Sequence, residues 1–323
     1  MNDFLIGLLS ALVATNQPVA LSNFVARTTG ITVRVHDPND PLEKEYEKLL
    51  EADDAAQQEV DKWIRDETAF REKGAGLPDA TLKARIEQRL KQVRDAYDDF
   101  LRRYPDHARA HLAYGSFLME ISEEDDAVNQ MEKARELDPK NPAAWNNLAN
   151  YYGHRSPVKK AFEYYAKAIE LNPTEPVYYQ NLATTVFLFR PDAMTFYKID
   201  EAHVFDKALE LYRQAMKLDP TNFVLASDYA QSYYGIRPMR TEEALAAWEG
   251  ALKIAPDDQE REGVYIHLAR IKLNAGRFDE VRRHLNSVTN EMYASLKNRL
   301  ARNLEQQEKS AKGTNAPAAS PAK

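Results

Sequence analysis

Two prolines that stand 34 residues apart, Pro139 and Pro173, constrain the fold more than any other feature of this sequence. Each closes a segment in which a small residue is followed by a bulky residue four positions later and by alanine three positions after that. The first segment, AVNQMEKARELDP, begins at Ala127, and the second, AFEYYAKAIELNP, begins at Ala161. A third copy, ALELYRQAMKLDP, begins at Ala208. We infer a repeated helical unit, because proline ends a helix and chance rarely matches its position in this way.

The spacing within each unit predicts a pair of helices. Counted from Pro142, positions 4, 7, 8 and 11 share one face of a first helix, and positions 20, 24 and 27 share one face of a second. In this unit they hold Trp145, Leu148, Ala149, Tyr152, Ala161, Tyr165 and Ala168, and in the preceding one His111, Tyr114, Gly115, Leu118, Ala127, Met131 and Ala134. Small residues let the helices approach, and one unit alone leaves its apolar face uncovered. Neighbouring units must therefore stack.

This pattern resembles the tetratricopeptide repeat (TPR) family from about Val93 to Val288. The resemblance implies an all-α fold, a right-handed α-solenoid of about five TPR-like helix hairpins. We expect a helical extension over 37–107, followed by units near 108–141, 142–175, 176–222 with an insertion, 223–258 and 262–290. A capping helix over 291–309 and a disordered tail over 310–323 complete the predicted organisation.

Residues 1–36 contain an apolar segment, MNDFLIGLLSALVATNQPVALSNFVA, followed by ITVRV, whose alternation predicts a short strand. The apolar run from Phe4 to Ala14 is shorter than the roughly 20 residues that span a bilayer. Two interpretations stay open: short packed helices, or a signal-like segment with Asp3 where a basic residue is expected. We expect a cytoplasmic location, or a periplasmic or secreted one if the segment is a signal peptide. The same segment could dock on a membrane or on a second copy of the chain.

Composition restricts the available chemistry. The 323 residues carry a formal net charge of −7 and no cysteine, which excludes disulfides, thiolate catalysis and cysteine zinc sites. Charges of both signs alternate along the chain, so we expect no nucleic acid partner. The sequence contains no Walker loop, dinucleotide fingerprint, G-x-S-x-G or HExxH. We expect no enzymatic activity and no cofactor, and the resemblance implies a scaffold or adaptor with a protein or peptide partner.

One catalytic alternative rests on His107 and His111. They lie one helical turn apart in DHARAH and could supply two ligands to a metal-dependent enzyme. The sequence offers no third ligand nearby. His111 also occupies the position-4 core slot that Trp145 and Tyr179 fill in later units. We therefore expect no metal site.

In this family, positions 2, 5, 6, 9, 12 and 13 of each first helix line the concave surface, and here amides are frequent among them. An amide carries a donor and an acceptor together, which suits the alternating groups of an extended peptide. The alternative is that asparagine is simply the common residue at these positions. The predicted peptide-binding groove comprises Asn146, Asn150, Gln180, Asn181, Thr184, Asp228, Gln231 and Arg270.

The resemblance also predicts what this groove does not bind. Family members that hold a chaperone's C-terminal carboxylate do so with basic residues at defined groove positions. Here Asn146, Val224 and Asp228 fill those positions, and Asp228 would repel an anion. We expect no binding of such acidic C-terminal peptides.

An aromatic insertion interrupts the third unit, where position 20 falls at residue 208 instead of 195, 13 residues late. Its stretch VFLFRPDAMTFYKIDEAHVF has two interpretations: the core of lengthened helices, or an exposed aromatic lip at the groove edge. The residues of such a lip would be Phe187, Phe189, Phe196 and Tyr197.

Overall fold

The computed structural model describes residues 40–72, 74, 76–155 and 158–314. The predicted apolar segment, the predicted short strand and residues 315–323 of the predicted tail lie outside the described residues. The described part contains 14 α-helices and no strand, so the predicted all-α fold of TPR-type hairpins is confirmed. Within this part, no helix combines the length and the hydropathy needed to cross a membrane.

The chain divides into two compact units, of which the first ends at Pro139. Its described helices are α1 (Pro41–Glu72), α2 (Asp79–Arg103), α3 (Ala108–Glu120) and α4 (Glu124–Leu137). Asp40 accepts a hydrogen bond of 2.9 Å from the Leu42 backbone N–H and so caps α1. Pro41 follows as the first helical residue, where its missing N–H has no cost.

The hairpin of α3 and α4 depends on a small residue at its crossing. A Cβ added to Gly115 would lie 2.6 Å from Met131 Cγ and 3.0 Å from the Ala127 backbone oxygen. Real carbon atoms do not approach so closely without displacement of a neighbour. The small residue that the repeat requires at position 8 is therefore needed because the two helices meet through their backbones.

The second unit begins at Lys140 and consists of paired helices. We call the leading member of each pair a first helix and the other its second helix. The pairs are α5 (Pro142–Gly153) with α6 (Lys159–Leu171), α7 (Pro176–Leu188) with α9 (Glu201–Leu218), α10 (Phe223–Ser232) with α11 (Thr241–Lys253), and α12 (Asp258–Asn274) with α13 (Phe278–Asn286).

Polar caps start several first helices of this unit. Asn141, Asn222 and Asp257 accept backbone N–H bonds of 3.0, 3.0 and 2.8 Å at the starts of α5, α10 and α12. These bonds satisfy N–H groups that have no partner within the helix. The caps therefore fix where each first helix begins, and with it which residues face the neighbouring helices.

The repeated small residues form the seams between paired helices. The bulky residue at position 24 fills the space beside each seam and is also buried, as at Tyr165, Tyr212 and Trp248. Fully buried alanines at the seams are Ala149, Ala161, Ala168, Ala208, Ala215, Ala244 and Ala251. The spacing in the sequence thus reports close approach of the helices.

The insertion forms an extra helix, α8 (Arg190–Tyr197), between α7 and α9. Lys198, with φ 57°, ends it in the left-handed conformation. Phe196 and Tyr197 pack on Phe162 of α6, with ring centroids 5.2 and 5.6 Å away. The insertion therefore enlarges the hydrophobic core that α6, α7 and α9 share.

The last helix, α14 (Ala294–Thr314), covers the final hairpin. Leu300 and Leu304 are buried against Val281 and Leu285 of α13, which is the packing that a capping helix provides. The helix continues past 309, its predicted end, because the residues that follow, Ser-Ala-Lys, do not break a helix.

Candidate functional site

Two clefts lie along the first helices α7, α10 and α12 of the second unit. The first, here called the Thr184 cleft, has a volume of about 280 Å³ and is lined by Thr184, Tyr212 and Phe187, among others. The second, the Trp248 cleft, has a volume of about 270 Å³ and includes Trp248 and His267 in its lining. Each volume lies just below the range of about 300–1,000 Å³ that is typical of small-molecule pockets.

The two clefts share Asp228 and Gln231, which lie three residues apart on α10 and so face the same side of that helix. Gln231 is exposed, and its side-chain amide forms no hydrogen bond with other described residues. Asp228 is half-buried and accepts a hydrogen bond of 2.8 Å from Gln180 Nε2 of α7. These residues join the two clefts into one continuous candidate site, which we call the groove.

Two of the predicted amides, Asn146 and Asn181, bond to each other. Asn181 Nδ2 on α7 donates to Asn146 Oδ1 on α5 at 3.0 Å. Asn146 is only 6% exposed, so this bond supplies a buried carbonyl with its donor. The two residues therefore join successive first helices side by side.

Tyrosine hydroxyls join other groove residues to the second helices. Tyr165 of α6 donates to Asn150 Oδ1 at 2.7 Å, and the hydroxyls of Tyr212 and Thr184 bond at 2.9 Å. Burial raises the pKa of both Tyr165 and Tyr212 to about 12, so these hydroxyls stay neutral. The polar faces of α5 and α7 are thus held in place by their partner helices.

The eight predicted groove residues do not all reach the clefts. Thr184, Asp228 and Gln231 line them. Arg270 is exposed on α12, where its guanidinium carbon lies 4.9 Å from the centre of the Tyr234 ring. The remaining members, which support the groove through hydrogen bonds or lie beside it, are Asn146, Asn150, Gln180 and Asn181.

The sequence reasoning missed Trp248 and His267. Their rings stack with centroids 4.0 Å apart and an interplanar angle of 6°. Burial lowers the pKa of His267 to about 4, so the imidazole is neutral at physiological pH. The Tyr234 hydroxyl lies 3.0 Å from its Nδ1, within hydrogen-bond distance. Counted from 262, His267 stands at position 6, as Asn181 and Asp228 do in their units, and this register could have identified it.

Two buried polar atoms of the Trp248 cleft have no hydrogen-bond partner among the described residues, Trp248 Nε1 and Ser227 Oγ. Leaving such a group unpaired costs about 1–3 kcal/mol. The cleft also contains two carboxylates, Asp228 and Glu260. Among the described residues that line it there is no lysine or arginine, so its charge is negative.

The aromatic residues of the insertion are half-buried. Phe187 packs beside Phe205 at 5.9 Å between ring centroids and also lines the Thr184 cleft. Phe189, Phe196 and Tyr197 pack against the hydrophobic cluster around Phe162. This arrangement favours the core interpretation, and Phe187 alone of the four combines packing with a place in the groove.

The histidine pair of the first unit has structural roles. His107 Nδ1 accepts a hydrogen bond of 3.0 Å from the Ala110 N–H and caps α3. His111 Nε2 lies 2.8 Å from the Pro105 carbonyl oxygen and Nδ1 lies 2.6 Å from Gln130 Oε1. Both ring nitrogens of His111 and one of His107 are therefore occupied. No cluster of three or more His, Asp or Glu side chains in the described part could hold a metal ion.

Comparisons with known proteins agree with this architecture. A model of the TmcB TPR repeats matches residues 80–143, and a tetratricopeptide repeat model matches residues 123–176. No curated protein matches the chain in sequence. These matches show that residues 80–176 of the chain carry tetratricopeptide repeats.

One solved structure of a TPR repeat-containing protein shares the fold of this chain. The C-terminal part of a TPR repeat-containing protein from Cytophaga hutchinsonii is 12% identical, with a TM-score of 0.51 over 79% of this chain and 98% of that one. Pseudomonas aeruginosa pilF is 15% identical, with a TM-score of 0.49 over 79% and 99%. YrrB, described as a TPR protein with an unusual peptide-binding site, is 14% identical, with a TM-score of 0.47 over 64% and 98%. At 12% identity the likeness to the Cytophaga hutchinsonii protein concerns the fold alone.

Proposed function

We propose that this protein is a non-enzymatic adaptor that binds a peptide or protein segment in the groove along α7, α10 and α12. The observation that carries the proposal is the junction at Asp228 and Gln231, where two clefts meet on the exposed side of a first helix. A groove that continues past one side chain suits an extended segment better than a compact small molecule.

The polar contacts of the groove support this proposal. An amide can form four hydrogen bonds, and the Gln180 side chain has one partner among the described residues, so further donors and acceptors remain for a ligand. The bonds from Tyr165 and Tyr212 also hold the groove face in position before a ligand arrives. Binding then costs little ordering of the receptor.

The class of protein also favours a non-enzymatic function. TPR proteins are generally non-enzymatic scaffolds. The one histidine pair that suggested metal chemistry serves instead as a helix cap and as a core contact of the first unit. An adaptor needs no such chemistry, since its contribution is the arrangement of its partner.

Affinity capture from the source cell tests the proposal. Gln231→Arg places a long side chain at the junction without breaking any hydrogen bond between described residues. Gln306→Arg makes the same change on exposed α14, outside both clefts. We expect quantitative mass spectrometry to show a partner that Gln231→Arg loses and that Gln306→Arg retains. Equal recovery by the two variants and the unmodified chain would exclude groove binding.

Alanine substitution of Asn146 and Asn181 is a weaker test. These residues bond to each other across two helices, so their loss disturbs the packing as well as the surface. A reduced recovery would then have two explanations. Gln231 avoids this difficulty because it lies outside that network.

A further inference from the structure

The Trp248 cleft carries a chemical preference that the groove as a whole does not specify. Its lining includes the carboxylates of Asp228 and Glu260. Asp228 accepts one hydrogen bond, from the neutral Gln180 amide, and no ion pair joins either carboxylate to a described lysine or arginine. Two negative charges therefore face the same small space without a cation.

The neighbouring basic groups do not neutralise this space. Arg270 lies one turn beyond His267 on α12 but stacks over Tyr234. Arg261 is paired with Asp258 at the exposed start of the same helix. His267, which lines the cleft, is held neutral by burial beside Trp248. A cation that enters the cleft therefore meets uncompensated negative charge.

A second, independent observation concerns two buried polar groups in the lining of the cleft that have no hydrogen-bond partner among the described residues. Trp248 is only 2% exposed, and its Nε1 has no partner among the described residues. Ser227 Oγ, buried in the same lining, has none either. An indole N–H can only donate, so the group that completes this pair carries an acceptor oxygen, such as a peptide carbonyl.

The remaining wall is apolar. Val224 is 64% exposed at the edge of the cleft, and an exposed valine can pack against the methylene groups of a lysine or arginine side chain. A positively charged head group and an aliphatic stem thus both have complementary partners in one cleft.

We infer that the Trp248 cleft binds a lysine or arginine side chain of a peptide, with its charge on Asp228 and Glu260 and an adjacent backbone carbonyl on Trp248 Nε1 and Ser227 Oγ. This inference rests on the proposed function, because it names the ligand chemistry of the same groove. It predicts a basic peptide segment as the partner, and excludes an acidic one.

Selection from a random dodecapeptide display library on the full-length chain tests the inference. Selected peptides should be enriched in lysine or arginine. The double variant Asp228→Asn, Glu260→Gln should bind a selected basic peptide at least about tenfold more weakly. The control Glu210→Gln, Glu249→Gln removes two exposed carboxylates from α9 and α11 and should leave the affinity unchanged within about twofold.

The outcomes separate the two claims. If the selected peptides bind Gln231→Arg more weakly but are not enriched in lysine or arginine, groove binding stands and the inferred preference for basic peptides is wrong. A failure to select any peptide would overturn both. Equal weakening by both charge variants would show only a long-range effect of net charge. If the cleft variants instead change the oligomeric state in light scattering, a second copy of the chain is the occupant and the inference is wrong.

A spectroscopic readout keeps the test valid if a variant is unstable. The chain has three tryptophans, and each gives one indole N–H signal in a nitrogen–proton correlation spectrum. Titration of the unmodified chain with a selected basic peptide should shift the Trp248 signal and leave those of Trp63 and Trp145 in place. The Trp248 signal is assigned with Trp248→Phe. An unmoved Trp248 signal at saturation would contradict the carbonyl contact.

Discussion

Asn181 of α7 donates a hydrogen bond of 3.0 Å to Asn146 of α5, and this bond joins the first helices of two successive hairpins. The contact requires the two helices to lie side by side with a fixed offset along their axes. Trp145 and Tyr179 stand at equivalent positions in these two hairpins. The polar faces of successive units are therefore continuous, which is the condition for a shared groove.

Loss of this bond should destabilise the protein. In Asn181→Ala the carbonyl of Asn146, which is 6% exposed, loses its donor from α7. We expect the free energy of unfolding in urea to fall by about 1–2 kcal/mol. Gln231→Ala, on an exposed and unbonded side chain, is the control and should change it by less than about 0.5 kcal/mol. Equal losses would mean that the bond does not contribute.

Two glycine substitutions should have opposite signs. Gly115→Ala places a methyl group 2.6 Å from Met131 Cγ and 3.0 Å from the Ala127 oxygen, so we expect a loss of about 1–3 kcal/mol. Gly250→Ala on α11 meets no atom within 4 Å and should stabilise the helix by about 0.5–1 kcal/mol. Thermal and urea denaturation of both variants measure the difference. A neutral Gly115→Ala would contradict the close crossing of α3 and α4.

The stability of the second unit should depend on pH through His267. Its pKa in the folded chain is about 4, against an ordinary value of 6.5. Between these values the unfolded chain binds more protons, so the contribution of neutral His267 is present above about pH 6.5 and is lost as the pH falls toward about 4. We expect a loss of roughly 1.5 kcal/mol between about pH 6.5 and about pH 5.

The matched variant for this prediction is His267→Gln. It removes the titrating group while every acidic residue of the chain stays in place. The difference in unfolding free energy between the two proteins, measured in urea across this range, isolates His267. A difference that does not vary with pH would mean that His267 has an ordinary pKa in the folded protein.

Removal of the contact between α14 and the final hairpin should be costly. Leu304 is buried against α13, so Leu304→Ala leaves a cavity and should reduce the unfolding free energy by about 2–4 kcal/mol. Leu188→Ala, at a side chain that is 58% exposed, should have an effect below about 0.5 kcal/mol. Similar values for the two variants would show that α14 does not cover the core.

The sequence predicted the hairpins because burial imposes the helical period on each copy separately. The small residues at Gly115, Ala161 and Ala168 indicated where helices touch, and the structure places them there. The bond between Asn146 and Asn181 was not predictable, because it depends on the offset between two helices and not on the period within either one.

The Trp248 cleft was harder to foresee for a related reason. Trp248 occupies a core position of its repeat, and only the absent partner of its indole N–H distinguishes it from Tyr165 and Tyr212. Glu260 and Tyr293 also line this cleft. Glu260 lies in the first turn of α12, and Tyr293 lies in a short 3-10 helix after α13. Neither belongs to the repeated groove positions, so the repeat pattern gives no signal for them.

The most direct test of the central claim locates a bound partner on the groove itself. Benzoylphenylalanine is introduced in place of Gln231, at the junction of the two clefts, or in place of Gln306 on α14, and the full-length chains are irradiated in the source cell. We predict a crosslink from position 231 to one segment of a protein partner, with none from position 306. Crosslinks at both positions alike, or at position 306 alone, would contradict a binding groove on the first helices.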